Sequence, residues 1–109
     1  MSGRSSQRKG RDAERELTGL LLNRGYNVRP GIPLSFGKEP DIVGLPGVHL
    51  EVKRCERWAL PAWIAQAERD AAAMMDGIPC VVFRSNREPW RVCLRLDDFL
   101  KFYEGGKTR

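Results

Sequence analysis

Apolar residues near the start of the chain recur at the spacing of a helix. The stripe consists of Ala13, Leu17, Leu20 and Leu21. Because these positions are i, i+4, i+7 and i+8, they lie on one face of an α-helix and indicate its buried side. The pattern predicts a first helix from about Arg11 to Arg24. Gly25 follows, where a helix favours a left-handed terminating residue.

The middle of the chain carries the alternation and turn signals of strands. Residues 26–29 predict a short strand, and the proline-rich segment 30–40 predicts a loop. Residues 41–45 and 48–54 then predict a hairpin around Pro46-Gly47, a pair suited to a type II turn.

The second half predicts two more helices and two more strands. Pro61 is suited to the first turn of a helix over residues 61–76. The apolar run 80–84 predicts a central strand covered on both faces. Residues 90–96 alternate between apolar and polar, as a half-exposed strand does, and a short helix over 97–103 follows.

These elements follow one another in the order α-β-β-β-α-β-β-α. One mixed central sheet flanked by helices accommodates this order, so the predicted fold class is α/β (α+β). The 109 residues suffice for one domain with a modest core. We expect a flexible basic arm over 1–10, a single domain over 11–104 and a flexible tail over 105–109.

Composition narrows the class of partner and compartment. The net charge of +5 and the pI near 9.5 favour an acidic partner such as nucleic acid, although many proteins that never touch DNA share such a charge. The three cysteines contain no C-x-x-C pair, so they predict reduced thiols and neither a disulfide framework nor a zinc site. Without a signal peptide or a membrane-spanning apolar run, we expect a cytoplasmic protein, in the host cytoplasm if phage-encoded.

A small set of charged residues is the main candidate for chemistry. Glu51 and Lys53 share one face of their predicted strand, and Asp41 precedes them in the hairpin. Glu14 borders the buried stripe of the first helix. Carboxylates are typical ligands of a hard cation such as Mg²⁺, and a neighbouring ammonium would position a nucleophile or stabilise a phosphate.

Each of these residues also has a plainer interpretation. Glu14 would pair with Arg11 or Arg15 at the edge of the helix, and Asp41 would be an ordinary turn aspartate after proline. Glu51 and Lys53 would lie on the solvated face of an amphipathic strand. The combination and its order along the chain favour the chemical interpretation.

The register of the hairpin decides whether Asp41 joins the site. A strict two-residue hairpin pairs Ile42 with Glu51, which places Asp41 on the opposite face of the sheet. Asp41 reaches Glu51 only at the splayed mouth of the hairpin, or if a bulge shifts the register by one.

Four segments give the chain a resemblance to a known family. They are Lys9-Gly10-Arg11-Asp12-Ala13-Glu14-Arg15-Glu16-Leu17, Arg24-Gly25-Tyr26, Pro40-Asp41-Ile42-Val43 and Glu51-Val52-Lys53. Together they resemble the archaeal and phage Holliday junction resolvases of the PD-(D/E)xK nuclease superfamily. The resemblance is strongest from Lys9 to Arg54 and implies a restriction-endonuclease-like core.

The resemblance also implies roles for individual residues. Glu14, Asp41 and Glu51 would bind the metal, and Lys53 would act on the nucleophile or the phosphate. The family places a serine in the loop before the Asp, for which Ser35 is the candidate. Gln66 matches a glutamine that several members of the superfamily carry near the active site, although an exposed glutamine on an amphipathic helix is an equally good interpretation.

Basic residues flank the predicted site in two groups. Those in the arm are Arg4, Arg8, Lys9 and Arg11, and those after the catalytic strand are Arg54 and Arg57. Each alone is compatible with a solvated surface. Both groups together favour phosphate contacts that are independent of sequence.

We therefore predict an endonuclease that uses Mg²⁺, with Mn²⁺ able to substitute, and that acts on branched double-stranded DNA, above all the four-way junction. Two symmetric nicks predict a homodimer, for which the second helix or the last strand offers apolar surface. The alternatives are a related nuclease for flaps, nicks or linear duplex, and a DNA-binding module without catalysis.

Overall fold

The computed structural model describes residues 3–35 and 37–107, with side chains described for 10–35 and 39–106. The helices are α1 (Gly3–Asn23), α2 (Leu60–Met74) and α3 (Leu96–Lys107). The strands are β1 (Arg29–Pro30), β2 (Pro33–Leu34), β3 (Gly37–Lys38), β4 (Ile42–Val43), β5 (Val48–Arg54), β6 (Ile78–Arg84) and β7 (Arg91–Cys93). Within the described ranges, no helix is long and apolar enough to cross a membrane.

The main sheet has five strands in the spatial order β1-β4-β5-β6-β7. Strands β5 and β6 are parallel and are joined through α2, while the other neighbours are antiparallel. With β2 and β3 forming a separate small hairpin, the main-sheet strands and the helices keep the predicted order α-β-β-β-α-β-β-α. The predicted mixed sheet flanked by helices is confirmed.

Helices cover both faces of the central strands. On one face, α1 packs its apolar stripe against alternate residues of β5 and β6, and this core contains Ala13, Leu17, Val28, Ile42, Leu50, Val52, Cys80 and Val82. On the other face, Ala67 of α2 packs against Val81 and Phe83. The second face of β5 is therefore covered by α2 and is not solvated.

The ends of several elements differ from the prediction. Helix α1 begins at Gly3, not near Arg11, since no proline interrupts residues 3–10 and their backbone continues the same helix. The side chains of the predicted arm residues Arg4, Arg8 and Lys9 lie outside the described residues. Helix α3 continues to Lys107, past the predicted end at 103. The flexibility assigned to the arm and the tail stays a prediction.

The first strand starts later than predicted because the end of α1 uses the preceding backbone. Gly25 has a φ of +94°, and its N–H donates to Leu22 O at 3.0 Å. The N–H of Tyr26 donates to Leu21 O at 3.1 Å, which completes a Schellman motif. Tyr26 is thus part of the helix cap, and pairing with β4 begins at Arg29.

The hairpin between β4 and β5 contains the bulge on which the position of Asp41 depends. The N–H of Val48 donates to Leu45 O at 3.2 Å, and regular pairing from this turn would place Ile42 opposite Glu51. Ile42 pairs instead with Leu50, so one extra residue lies on the β4 side between Ile42 and Leu45. Gly44 lies in this stretch with a φ of +125°.

Gly44 is also the point where the hairpin contacts the segment before β1. A Cβ at this position would lie 2.3 Å from Asn27 O and 2.9 Å from Val28 Cα. Only glycine satisfies both the backbone conformation and the close approach. The bulge is therefore fixed by local conformation and by packing together.

We expect Gly44→Ala to destabilise the protein by about 2 kcal/mol or more, because positive φ and steric overlap act together. Gly47→Ala is the matched control, since Gly47 also has a positive φ of +84° but nothing lies within 4 Å of the added Cβ. This control should cost about 1 kcal/mol. Urea unfolding followed by circular dichroism measures both, and equal losses would contradict the packing role of Gly44.

Candidate active site

A groove opens at the start of β4, beside the part of β5 that extends past it to Arg54. Its volume is about 370 Å³. The residues that line it come from α1, the start of β4, the second half of β5 and α2, and they are Gly10, Glu14, Asp41, Glu51, Val52, Lys53, Arg54, Cys55, Trp63 and Gln66. The predicted residues Glu14, Asp41, Glu51, Lys53 and Gln66 thus line one groove.

Asp41 is fixed at the mouth of the hairpin by its main chain and its side chain. Its N–H donates to Leu50 O at 2.9 Å, and its carbonyl accepts the N–H of Gly31 at 2.9 Å. Its Oδ2 accepts the N–H of Val52 at 2.7 Å. Continuing the observed register places Asp41 across from Glu51, so the shift by one that the site requires is present.

Glu51 is a buried carboxylate, with 2% of the residue exposed. Its Oε1 lies 2.9 Å from Nε2 of His49, which shares its face of β5 and is fully buried. The other ring nitrogen of His49, Nδ1, lies 2.8 Å from Oδ1 of Asp76. An ion pair or hydrogen bonds are what make a buried carboxylate tolerable.

The environment of His49 favours its charged form. Burial by itself would lower the pKa of the imidazole, but the hydrogen bonds and negative charges of Glu51 and Asp76 together outweigh burial and raise this pKa above its usual value. Ionised carboxylates only accept hydrogen bonds, so both ring nitrogens donate when both acids are ionised. The result is a hydrogen-bonded chain that runs from Glu51 through the buried ring of His49 to Asp76.

A further acid, Asp70 of α2, belongs to this cluster. Ligand-type atoms of His49, Glu51 and Asp70 lie within 4.8 Å of one another. Among the described residues, Asp70 Oδ2 is buried and has no hydrogen-bond partner. Sequence reasoning missed His49, Asp70 and Asp76. For His49 a signal existed, because its i−2 position relative to Glu51 places it on the same face of the strand.

Lys53 and Gln66 meet across the groove. The Nζ of Lys53 donates to Oε1 of Gln66 at 3.5 Å. Lys53 follows Glu51 on the same face of β5, and Gln66 comes from α2. This contact favours a groove position for Gln66 over the exposed one. Glu14 approaches from α1 on the opposite side of the sheet edge and is half-buried.

Ser35 does not join this group. It is exposed in the turn between β2 and β3 and is not among the residues that line the groove. A role for Ser35 in the reaction stays a prediction without geometric support.

The basic residues have different surroundings. Arg54 lines the groove, and its Nη1 donates to Oε1 of Glu16 at 3.1 Å. Arg84 binds the same carboxylate with contacts of 3.0 and 2.6 Å, and hydrogen bonds from Arg84 are the main reason that the pKa of Glu16 is lowered. Arg11 and Arg57 are exposed.

Comparison with known proteins agrees with this geometry. The model of the family described as "Phage putative PDDEXK endonuclease" matches residues 5–108. The chain belongs to this endonuclease family. A search of curated proteins finds no match.

A solved structure resembles this PD-(D/E)xK endonuclease. It is that of Archaeoglobus fulgidus Hjc, a Holliday junction resolvase from an archaeal hyperthermophile. The TM-score is 0.55 at 25% sequence identity, and the match covers 79% of this chain and 72% of that one. The chain is therefore a nuclease with the fold of that resolvase.

The donor set of the groove fits a hard divalent cation. Glu14, Asp41 and Glu51 offer carboxylate oxygens from three separate elements. Oxygen donors are those that Mg²⁺ and Mn²⁺ prefer. The thiol of Cys55 also lines the groove, but it does not change this preference of the carboxylate set.

We expect Cys55 to react with Ellman's reagent at pH 8 in the folded protein and Cys80 to stay unreactive. Cys80 is buried in the α1 core, and burial raises the pKa of its thiol to about 11. Cys55 lies in the groove and is only partly buried. Thiol counts for the wild type, Cys55→Ser and Cys80→Ser measure this, and loss of a native-state reactive thiol in Cys80→Ser would contradict it.

Proposed function

We propose that this endonuclease is metal-dependent and structure-specific, and that it resolves four-way DNA junctions by paired symmetric nicks. The observation that carries the proposal is the convergence of Glu14, Asp41, Glu51 and Lys53 in one groove at the open edge of the sheet. The likeness to the archaeal resolvase supports the junction as substrate.

The three carboxylates would hold one or two Mg²⁺ or Mn²⁺ ions. Such an ion, when bound, polarises the scissile phosphate and lowers the pKa of a coordinated water. The protein would hold two of these carboxylates in place. The N–H of Val52 orients the carboxylate of Asp41, and His49 lies against that of Glu51.

Lys53 would act on the reacting groups from the same face of β5 as Glu51. Its ammonium would orient the attacking hydroxide and offset the negative charge that develops on the phosphate. The contact with Gln66 limits the directions that the long side chain adopts. Gln66 would thus position Lys53.

Duplex arms would be held through their phosphates. Arg54 lies in the groove, and Arg11 and Arg57 are exposed beside the elements that form it. We propose that Arg4, Arg8 and Lys9 extend this contact along α1. No feature for reading bases is required, since a junction is distinguished by its shape and backbone path.

A homodimer would supply the two active sites that paired nicks require. Trp63 and Ile64 of α2, the predicted second helix, are partly buried and pack against the core on the α2 side of the sheet. Large exposed apolar side chains lie instead on α3, with Val92 of β7 beside them. Those on α3 are Leu96, Phe99, Leu100, Phe102 and Tyr103.

These exposed side chains of α3, together with Val92, form the α3 face, whose apolar area is large enough for the centre of an interface. Val92, Phe99 and Phe102 line one wholly apolar cavity of about 410 Å³, and the rings of Phe99 and Tyr103 stack. The three half-exposed rings alone offer roughly 300 Å². A standard interface buries about 800 Å² per partner, so this face would be its centre. We propose that a second copy of the chain covers it.

We expect Asp41→Asn, Glu51→Gln and Lys53→Met each to lower the rate of junction cleavage by on the order of 100-fold or more, because each removes a charge next to the reacting phosphate. Glu14→Gln should lower it similarly. Asp12→Asn is the matched control, since Asp12 lies on the same helix but is exposed and outside the groove. Single-turnover cleavage of a labelled four-way junction in Mg²⁺ measures these rates.

The same assay tests the alternatives. A nicked duplex, a flap and a linear duplex cut as fast as the junction would overturn junction specificity and leave a general nuclease. Binding of the junction without nicking at any concentration of Mg²⁺ or Mn²⁺ would indicate a DNA-binding module. Full activity of Asp41→Asn or Glu51→Gln would overturn the assignment of the site.

We expect Phe102→Asp to shift the protein from dimer to monomer, because a charge in the centre of an apolar interface is desolvated without a partner. Ile32→Asp is the control. Ile32 is similarly exposed, at 54% against 45% for Phe102, but follows β1 at the opposite edge of the sheet. Sedimentation velocity over a range of concentrations measures both, and a dimer unaffected by Phe102→Asp would contradict the proposed surface.

A further inference from the structure

A buried histidine contacts the carboxylate of Glu51, one of the three proposed metal ligands. The side chain of His49 is fully buried, with one ring nitrogen 2.9 Å from Glu51 and the other 2.8 Å from Asp76. Asp76 follows α2, so the contact ties the end of this helix to β5. Neither His49 nor Asp76 lines the groove in which the reaction is proposed.

We infer that His49, held by Asp76, is a positioning residue that fixes the carboxylate of Glu51 for the metal. The inference rests on the proposed function, in which Glu51 is a metal ligand. Outer partners of metal ligands orient the ligand and tune its charge, and their loss typically weakens metal affinity. Here the ligand is the carboxylate and the outer partner is the imidazole.

The geometry opposes the other interpretation, in which His49 itself binds a metal together with Glu51 and Asp70. Both of its ring nitrogens face carboxylate oxygens. Coordination through Nε2 would require the ring to give up its 2.9 Å contact with Glu51. The arrangement is therefore that of a hydrogen-bonded support and not of a ligand with a directed lone pair.

Two physical effects favour this supporting role of His49. A glutamate side chain has several rotatable bonds, and fixing it costs about 1 to 2 kcal/mol of conformational entropy, which the contact with His49 offsets before any metal binds. The carboxylate of Asp70 also lies within 4.8 Å of the pair. Two carboxylates this close repel each other when both are ionised, and the hydrogen bond from His49 to Glu51 opposes that repulsion.

The test compares His49→Ala with His49→Gln. We expect His49→Ala to need about 10- to 100-fold more Mg²⁺ for half-maximal junction cleavage, while its rate at saturating Mg²⁺ stays within about 3-fold of the wild type. In His49→Gln, the amide nitrogen still reaches toward Glu51, so most of the apparent affinity should return. Asp76→Asn should shift the midpoint in the same direction, by less.

Direct metal binding provides a readout that does not depend on cleavage. Mn²⁺ titration of the protein alone, followed by electron paramagnetic resonance, should show the same weakening in His49→Ala and the same recovery in His49→Gln. Val82→Ala is the control for lost stability, since Val82 is a buried residue on the α1 face of the sheet. It should leave the Mn²⁺ affinity unchanged although urea unfolding shows destabilisation.

The outcomes separate the two proposals. Wild-type Mg²⁺ and Mn²⁺ midpoints in folded His49→Ala would overturn the positioning role and leave the nuclease proposal intact. An equal loss in His49→Gln and His49→Ala would also overturn it. If the wild type binds Mn²⁺ in a manner that depends on His49 but cuts no DNA, the nuclease proposal fails and the positioning of Glu51 is supported.

Discussion

The hydrogen bond from the N–H of Val52 to the carboxylate of Asp41 links the fold to the groove. The first residue of β4, Ile42, pairs with Leu50. The N–H of Val52, the next donor of β5 toward β4, therefore lies beyond the end of that strand. The side chain of Asp41 accepts this donor at 2.7 Å. A backbone N–H that would otherwise lack a partner thus donates to the carboxylate of Asp41, and this bond holds Asp41 opposite Glu51.

This arrangement depends on one extra residue in the hairpin. Gly44, with a φ of +125° and the backbone of Asn27 and Val28 against it, lies in the bulge that shifts the pairing of Ile42 to Leu50. A shift by one residue moves every side chain of a strand to the other face. Asp41 would otherwise lie on the α1 side of the sheet, away from Glu51 and Lys53.

Burial of the face of β5 that carries Glu51 is the second constraint on the site. Because α2 covers that face of β5, Glu51 is removed from water and requires compensation, which His49 and Asp76 provide. Lys53 and Arg54, which follow Glu51 along β5, are only partly buried.

Local periodicities of 3.6 and 2 residues were enough to predict the order of the elements, the stripe of α1 and the shared face of Glu51 and Lys53. The sequence also pointed to the family. Three features emerge only in the folded chain: the register that brings Asp41 to Glu51, the cover of α2 over β5 and the partners of His49. Those depend on contacts between residues distant in the chain, such as His49 with Asp76 and Gly44 with Asn27, which no local pattern encodes.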